Sequence, residues 1–318
     1  MDAREELVQR CATRRREKIG TLSDEGFAEL ILAARNDPAS FVDTPAEEAF
    51  AALVAALATY EQSLANDDLL DDDEYTTARK RRLGALADAC DRAATIDPGC
   101  TDARLVSILT RDLGPDDLLT QLLELRSDAD TSIADGDAWN DVFSRPSLRL
   151  DAALVRTCLD GSRFKMTLDR AERLLDAAPS DTLGIRYTAA LAYARLEDET
   201  GFDALDARFG HRGNTWSNLA RAIMLYKLGR MSAARRALQG YCELCGGAAY
   251  ALLRPEFVET YLPDRPAVAP SSFKEAVLAV HESEPIIADV PDFIAWAQTQ
   301  PWLEQSASQF ADKNDLDW

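Results

Sequence analysis

The chain has 318 residues, with 35 Lys and Arg against 55 Asp and Glu, a formal net charge of −20. That balance excludes a general polyanion binder, because holding nucleic acid takes a basic surface that displaces phosphate counterions. A hydrophobic fraction of 47% excludes wholesale disorder, and 15 Gly with 13 Pro are too few for the many tight turns of an all-β protein.

Residues 1–20 are densely charged and lack the apolar region of a secretory signal. Two basic runs stand out, Arg14, Arg15 and Arg16 with Lys18, and Arg79, Lys80, Arg81 and Arg82. Each reads either as a local anion site or as a solvated helix face balancing nearby acids. Thr44, Pro45, Ala46 and Glu47 follow, with an N-cap Thr, Pro at the first helical position and Glu placed to close a capping box. The helix they open carries Phe50, Leu53, Val54, Leu57 and Tyr60 at spacings of three and four. Its apolar run, Ala49 to Ala58, is the longest in the chain and falls far short of the ~20 residues a membrane span requires. The expectation is a cytoplasmic chain, with Cys11, Cys90, Cys100, Cys158, Cys242 and Cys245 as reduced thiols.

The acidic stretch from Asn66 to Glu74 reads as a loop between two helices. The run Asp91 to Pro98 closes a helix with small residues and stops it with Pro, and Leu175 to Pro179 repeats the pattern. Gly114, Pro115, Asp116 and Asp117 open another helix, with acids where the helix dipole favours them. The clearest unit spans Asn214 to Tyr241. Trp216, Leu219, Ala220, Ile223 and Tyr226 share one face of a first helix, Leu228 to Arg230 make the turn, and Ala233, Ala234, Ala237 and Leu238 form a small-residue seam on the second. Pro263, Pro266 and Pro270 exclude a helix from 262–272. Ser272 and Glu275 then suggest a second capping box, and the polar tail after Ser306 is expected to fray. A dozen or more helices and no strand are expected, with short connections that suit antiparallel neighbours.

The Asn214–Tyr241 unit resembles a tetratricopeptide repeat. With the turn anchored at Gly229, the family's small residue in the first helix falls on Ala222, its second-helix Ala on Ala234 and its large apolar position on Leu238. Trp216 lies two residues early and no closing Pro is present. Over residues 168–302, the strings Ala171–Pro179, Gly184–Tyr187 and Ala233–Leu238, with a terminal segment Ala288–Trp302, resemble bacterial tetratricopeptide proteins related to the suppressor-of-tumorigenicity-seven group. The resemblance implies an all-α, solenoid-like stack of antiparallel helical hairpins. Residues 1–140 match no repeat consensus and read as an N-terminal helical region, either divergent helical repeats or a helical extension. Residues 141–261 read as the repeat core, and 262–318 as a proline-containing linker with a helical cap.

Catalytic motifs are absent: no G-x-S-x-G elbow, P-loop or H-E-x-x-H occurs, and His211 and His281 are the only histidines. No catalytic residue, metal ligand or cofactor is therefore assigned. Cys242 and Cys245 form a C-x-x-C pair, which carries the alternative reading of a metalloprotein or thiol-dependent enzyme. The acids of 67–74 and of Asp128 and Asp130 lack the Gly an EF-hand loop needs at its sixth position. The preferred expectation is a non-catalytic scaffold with a groove formed mainly by residues 145–250. There Arg186, Asn218 and Arg221 would clamp an acidic segment or a C-terminal carboxylate, and Tyr193 would supply an aromatic wall. The partner is expected to be a protein or peptide rather than nucleic acid or membrane. Self-association through the Trp-containing cap is the third reading.

Overall fold

The fold was obtained as a computed structural model that describes residues 2–65, 67–129 and 133–318. Asn66, at the head of the expected acidic loop, and Asp130, of the calcium comparison, lie outside the described residues. Sixteen α-helices and no strand occur among the described residues, and helices adjacent in sequence pack in pairs, so the chain is all-α. None of these helices is long and apolar enough to cross a membrane. The chain divides into two compact units, Met1–Leu154 with Ala177–Thr182 and Thr260–Asp264, and Val155–Asp176 with Leu183–Glu259 and Arg265–Trp318.

The first unit opens with α1 (Ala3–Ile19) and α2 (Asp24–Asn36), capped by Asp2 and Ser23. The expected capping box then starts α3 (Pro45–Ser63): Glu47 N donates to Thr44 Oγ1 at 3.3 Å, and Thr44 N donates to Glu47 Oε2 at 3.0 Å. The acidic stretch is not a loop throughout. Asp71 caps α4 (Asp72–Ile96), accepting from Glu74 N at 2.8 Å, so Asp72, Asp73 and Glu74 form that helix's first turn. Acids accumulate there because the N-terminal end of a helix carries partial positive charge. Next come α5 (Thr101–Leu109), α6 (Pro115–Asp128, with Gly114 at the cap) and α7 (Arg145–Asp160), of which residues to Leu154 belong to this unit. Leu7 and Cys11 of α1, Phe50 and Leu53 of α3, Leu86 and Cys90 of α4, and Ala103 and Val106 of α5 form one apolar core.

Beside that core lies a charge cluster that no motif announced. Arg149 is 1% exposed, and its guanidinium donates to both carboxylate oxygens of Asp102, to Glu6 and to Asp264. Arg10 adds a second cation, donating to Glu6 and to Asp102 at 3.0 Å. Burial pushes the Asp102 carboxyl above its usual range, against the pull of Arg149 and Arg10. For Glu6 the same burial is outweighed by Arg149 and Arg10, and its carboxyl is held low.

The second unit contains α8 (Phe164–Ala177), α9 (Ile185–Leu196), α10 (Glu199–Arg208), α11 (Thr215–Lys227), α12 (Met231–Leu244) and α13 (Ala248–Leu253). After a segment without helix come α14 (Phe273–Ile287), α15 (Asp292–Gln298) and α16 (Pro301–Asn314). The α11–α12 hairpin is built as the periodicity implies. Trp216, Leu219, Ala220 and Ile223 are buried on one helix, Ala234 and Leu238 on the other. Gly229, with φ 72°, makes the turn in the left-handed region that favours glycine. Gly184, with φ 67°, opens α9 where a Cβ would collide with the Arg265 guanidinium and the Tyr187 ring. Arg265 is thereby free to donate to the Leu183 and Gly184 carbonyls at 2.8 and 2.9 Å.

Two expectations for the C-terminal helices need correction. Ser272 caps α14 by accepting from Glu275 N, but the Glu275 carboxylate turns instead to Ser271 N (2.7 Å) and the Thr215 hydroxyl (2.8 Å), so the box does not close. The tail does not fray at Ser306, because α16 runs to Asn314 and Phe310 packs against Tyr250 and Phe273. Beyond it the Tyr250 hydroxyl donates to the Asp317 carbonyl at 3.0 Å.

Candidate binding surfaces

Two of the four expected groove residues converge on α10. Arg186, in the first turn of α9, lies over the Tyr187 and Phe209 rings at 5.0 and 4.9 Å, and its Nη2 donates to the Tyr187 hydroxyl at 3.1 Å. With Phe202, Asp206, Arg212, Asn214 and Ser217 it lines a small pocket. Arg221 reaches α10 from α11, donating to Asp203 at 3.0 Å, with Asp206 at 3.7 Å and the Phe202 ring at 4.6 Å. Its charge is therefore already met by acids of its own unit. Asn218 is half-buried one turn before Arg221 and does not line the pocket. Tyr193 is buried, and its hydroxyl donates to Glu172 at 2.8 Å. Burial, with Glu172 beside it, pushes the Tyr193 phenol up to about 12.

The C-x-x-C pair sits at the end of α12. Cys245 is buried against Thr215, with Sγ 3.1 Å from the hydroxyl and 3.6 Å from Glu275. Burial pushes the Cys242 thiol up to about 12 and the Cys245 thiol to about 11. Nucleophiles and metal ligands act as thiolates, which such surroundings disfavour at neutral pH. His211 Nδ1 lies 3.2 Å from Asp206, and His281 Nδ1 3.5 Å from Glu284. Among the described residues no group of three or more His, Cys, Asp or Glu is gathered as a metal site would require.

The basic runs divide. Arg15 and Lys18 pair with Asp43 at 3.0 and 3.1 Å, and Arg14 lies 3.9 Å from Glu17, as a balanced helix face would have them. In the second run Arg82 is fixed on Asp67 by two bonds of 2.6 and 2.8 Å. Arg81 is exposed and makes no ion pair with the described residues, and Arg92 on the same helix is alike.

Arg81 and Arg92 edge an open groove of about 820 Å3 between α3 and α4. On α3 its lining recurs at Ala52, Ala56, Tyr60 and Ser63, and on α4 at Arg82, Ala85, Ala89, Ala93 and Ile96. Both sets follow the three-to-four spacing of one helix face. Methyl side chains on both helices leave a shallow apolar trough, in which Ala55 and Ala85 are exposed and Ile96 is 38% exposed. The alanine run of α3 was visible in the sequence. Its counterpart was not, because Ala85, Ala89 and Ala93 lie within the charged sequence of α4 and become a surface only when the two helices pair.

No protein-family model matches this chain, and neither a curated protein nor a solved structure matches it.

Proposed function

We propose that this chain is a non-catalytic helical scaffold that binds another protein. The observation that carries the proposal is the α3–α4 groove: apolar, open to solvent and edged by two cations without ion pairs among the described residues. An open apolar trough with a charged rim has the make-up of a docking surface, apolar at its centre and polar at its edge. The tetratricopeptide-like α11–α12 hairpin supports the same reading, since arrays of such hairpins present helices to partners. The pocket at Arg186 offers a second contact region, with Arg212, Asn214 and Ser217 around it. A thiol-dependent chemistry is less well supported, because burial holds Cys242 and Cys245 protonated.

The test compares proteins captured from native lysate by the wild type, by Ala55→Trp/Ala85→Trp and by Arg186→Ala/Arg221→Ala. A partner that saturates the wild type and is lost from either variant supports the scaffold. Identical capture by all three removes both surfaces from consideration.

A further inference from the structure

We infer that a cavity of the first unit, walled by α1 and the amino ends of α3, α5 and α7, binds a free amino acid with an aliphatic side chain. The inference stands apart from the scaffold reading. The cavity measures about 250 Å3, below the ~300–1,000 Å3 of sites that hold drug-sized ligands, so its guest is a small metabolite.

The first argument is an acceptor left over. Glu47, at the third position of α3, lines the cavity and is 4% exposed. Its Oε2 accepts from Asp43 N at 2.7 Å and from Thr44 N at 3.0 Å. Its Oε1 is buried and has no hydrogen-bond partner among the described residues. Arg10 and Arg14 line the same cavity, yet neither pairs with it. A shielded carboxylate oxygen left unmet is costly, and a cationic donor meets it best. The other acids of the lining are engaged: Asp97 Oδ1 accepts from Gly99 N at 2.9 Å, and both Asp102 oxygens are held by Arg149 and Arg10.

The second argument is a set of donors left over. Arg10 spends Nε and Nη2 on Glu6 and Asp102, and its Nη1 makes no hydrogen bond among the described residues. That guanidinium is held in place, 3.8 Å over the Phe50 ring. Arg14 follows one turn later, about 6 Å along α1. It lies 4.6 Å over the Phe143 ring, and its ion pair with Glu17 is long at 3.9 Å. Between these cations and the far wall, α5 starts at Thr101 behind Cys100, which gives the helix no side-chain cap. An uncapped amino end presents N–H groups and partial positive charge, which suit a carboxylate.

Only a guest with both charges uses both sets. A simple anion would leave Glu47 Oε1 unmet and add a negative charge beside it, while a simple amine would meet the guanidiniums of Arg10 and Arg14. A carboxylate and an ammonium on one small molecule make an amino acid. A chain terminus offers only one of the two, because its other group is an amide. Phe143, Pro146 and Ala46 give the remaining wall apolar surface, which suits an aliphatic side chain.

The probes are L-leucine, L-valine and L-alanine, titrated into the full chain by calorimetry. Leucinamide lacks the carboxylate, 4-methylpentanoic acid lacks the ammonium, and inorganic phosphate reports any general anion site. At least one amino acid is expected to bind saturably, about tenfold or more tighter than either truncated analogue. Arg14→Met, an exposed position, should weaken it about tenfold. Glu47→Gln keeps an oxygen for Thr44 N and should erase the preference for leucine over 4-methylpentanoic acid; circular dichroism verifies its fold. No saturable binding of any of the three, equal binding of leucine and 4-methylpentanoic acid by the wild type, or undiminished binding by Arg14→Met overturns the inference. Phosphate binding as tightly as leucine reduces the site to an anion hole and overturns it as well.

Discussion

Arg149 and Asp102 are each 1% exposed, and Arg149 Nη1 donates to both oxygens of the Asp102 carboxylate at 3.2 and 3.1 Å. The pair joins α7 to α5, and Glu6 on the other side of the guanidinium brings in α1. Charges this deep are tolerated only while fully paired. Arg149→Met is therefore expected to destabilise the first unit by about 3–5 kcal/mol, because Glu6 and Asp102 would lose the buried cation between them and share Arg10 alone as a hydrogen-bonded one. Urea unfolding measures it. Adding Glu6→Gln and Asp102→Asn to Arg149→Met should recover part of the loss, and a triple variant worse than the single one contradicts this account.

The thiols make a pH prediction. Burial pushes Cys90 and Cys242 up to about 12, and Cys11, Cys100 and Cys245 up to about 11, from an ordinary value of 9.0. The folded chain thus keeps protons that the unfolded chain loses first, so the thiols' contribution to stability is intact below pH 9 and is lost as pH rises from 9 to about 12. Cys90→Ala should flatten that fall when denaturation midpoints are compared at pH 7.5 and 10. The same burial predicts that iodoacetamide at pH 8 labels these cysteines only after denaturation. Rapid labelling of native Cys242 would instead favour the thiol-dependent reading.

Arg221 provides a contrast with Arg149. It is one-third exposed and its partner Asp203 nearly two-thirds exposed, so water and salt screen the pair. Arg221→Ala is expected to change stability by less than about 1 kcal/mol. A larger loss in thermal unfolding would mean that its stem over Phe202, rather than its charge, holds α10 to α11.

At the C-terminus, Phe310 fits between Tyr250 and Phe273, with centroids 5.9 and 4.9 Å away. Phe310→Ala should cost about 2 kcal/mol, less than a fully buried aromatic because the ring is half-exposed. Proteolysis beyond α15 should rise with it. An unchanged digestion pattern would show that α16 is held by Leu303, Ala307 and Ala311 alone.

Local punctuation was legible in the chain itself. Thr44 with Glu47, Gly114 with Pro115, Gly229 and the prolines of 262–272 act through a turn's own backbone, so residues a few positions apart determine helix ends. The α11–α12 faces followed from periodicity for the same reason. Asp71 to Glu74 defeated that reading because acids serve loops and first turns equally well, and the choice was made by a hydrogen bond. Arg186 and Arg221 could be placed on helices from sequence, but that Asp203 and Asp206 would meet Arg221, or that Tyr193 would turn inward to Glu172, depends on neighbouring helices. The sequence by itself determined an all-α chain and where most helices begin. Tertiary packing alone decided that Glu6, Asp102 and Arg149, separated by up to 143 residues, share one buried site. It also decided that two alanine faces become a groove, because burial and charge pairing are set by what the rest of the chain brings alongside.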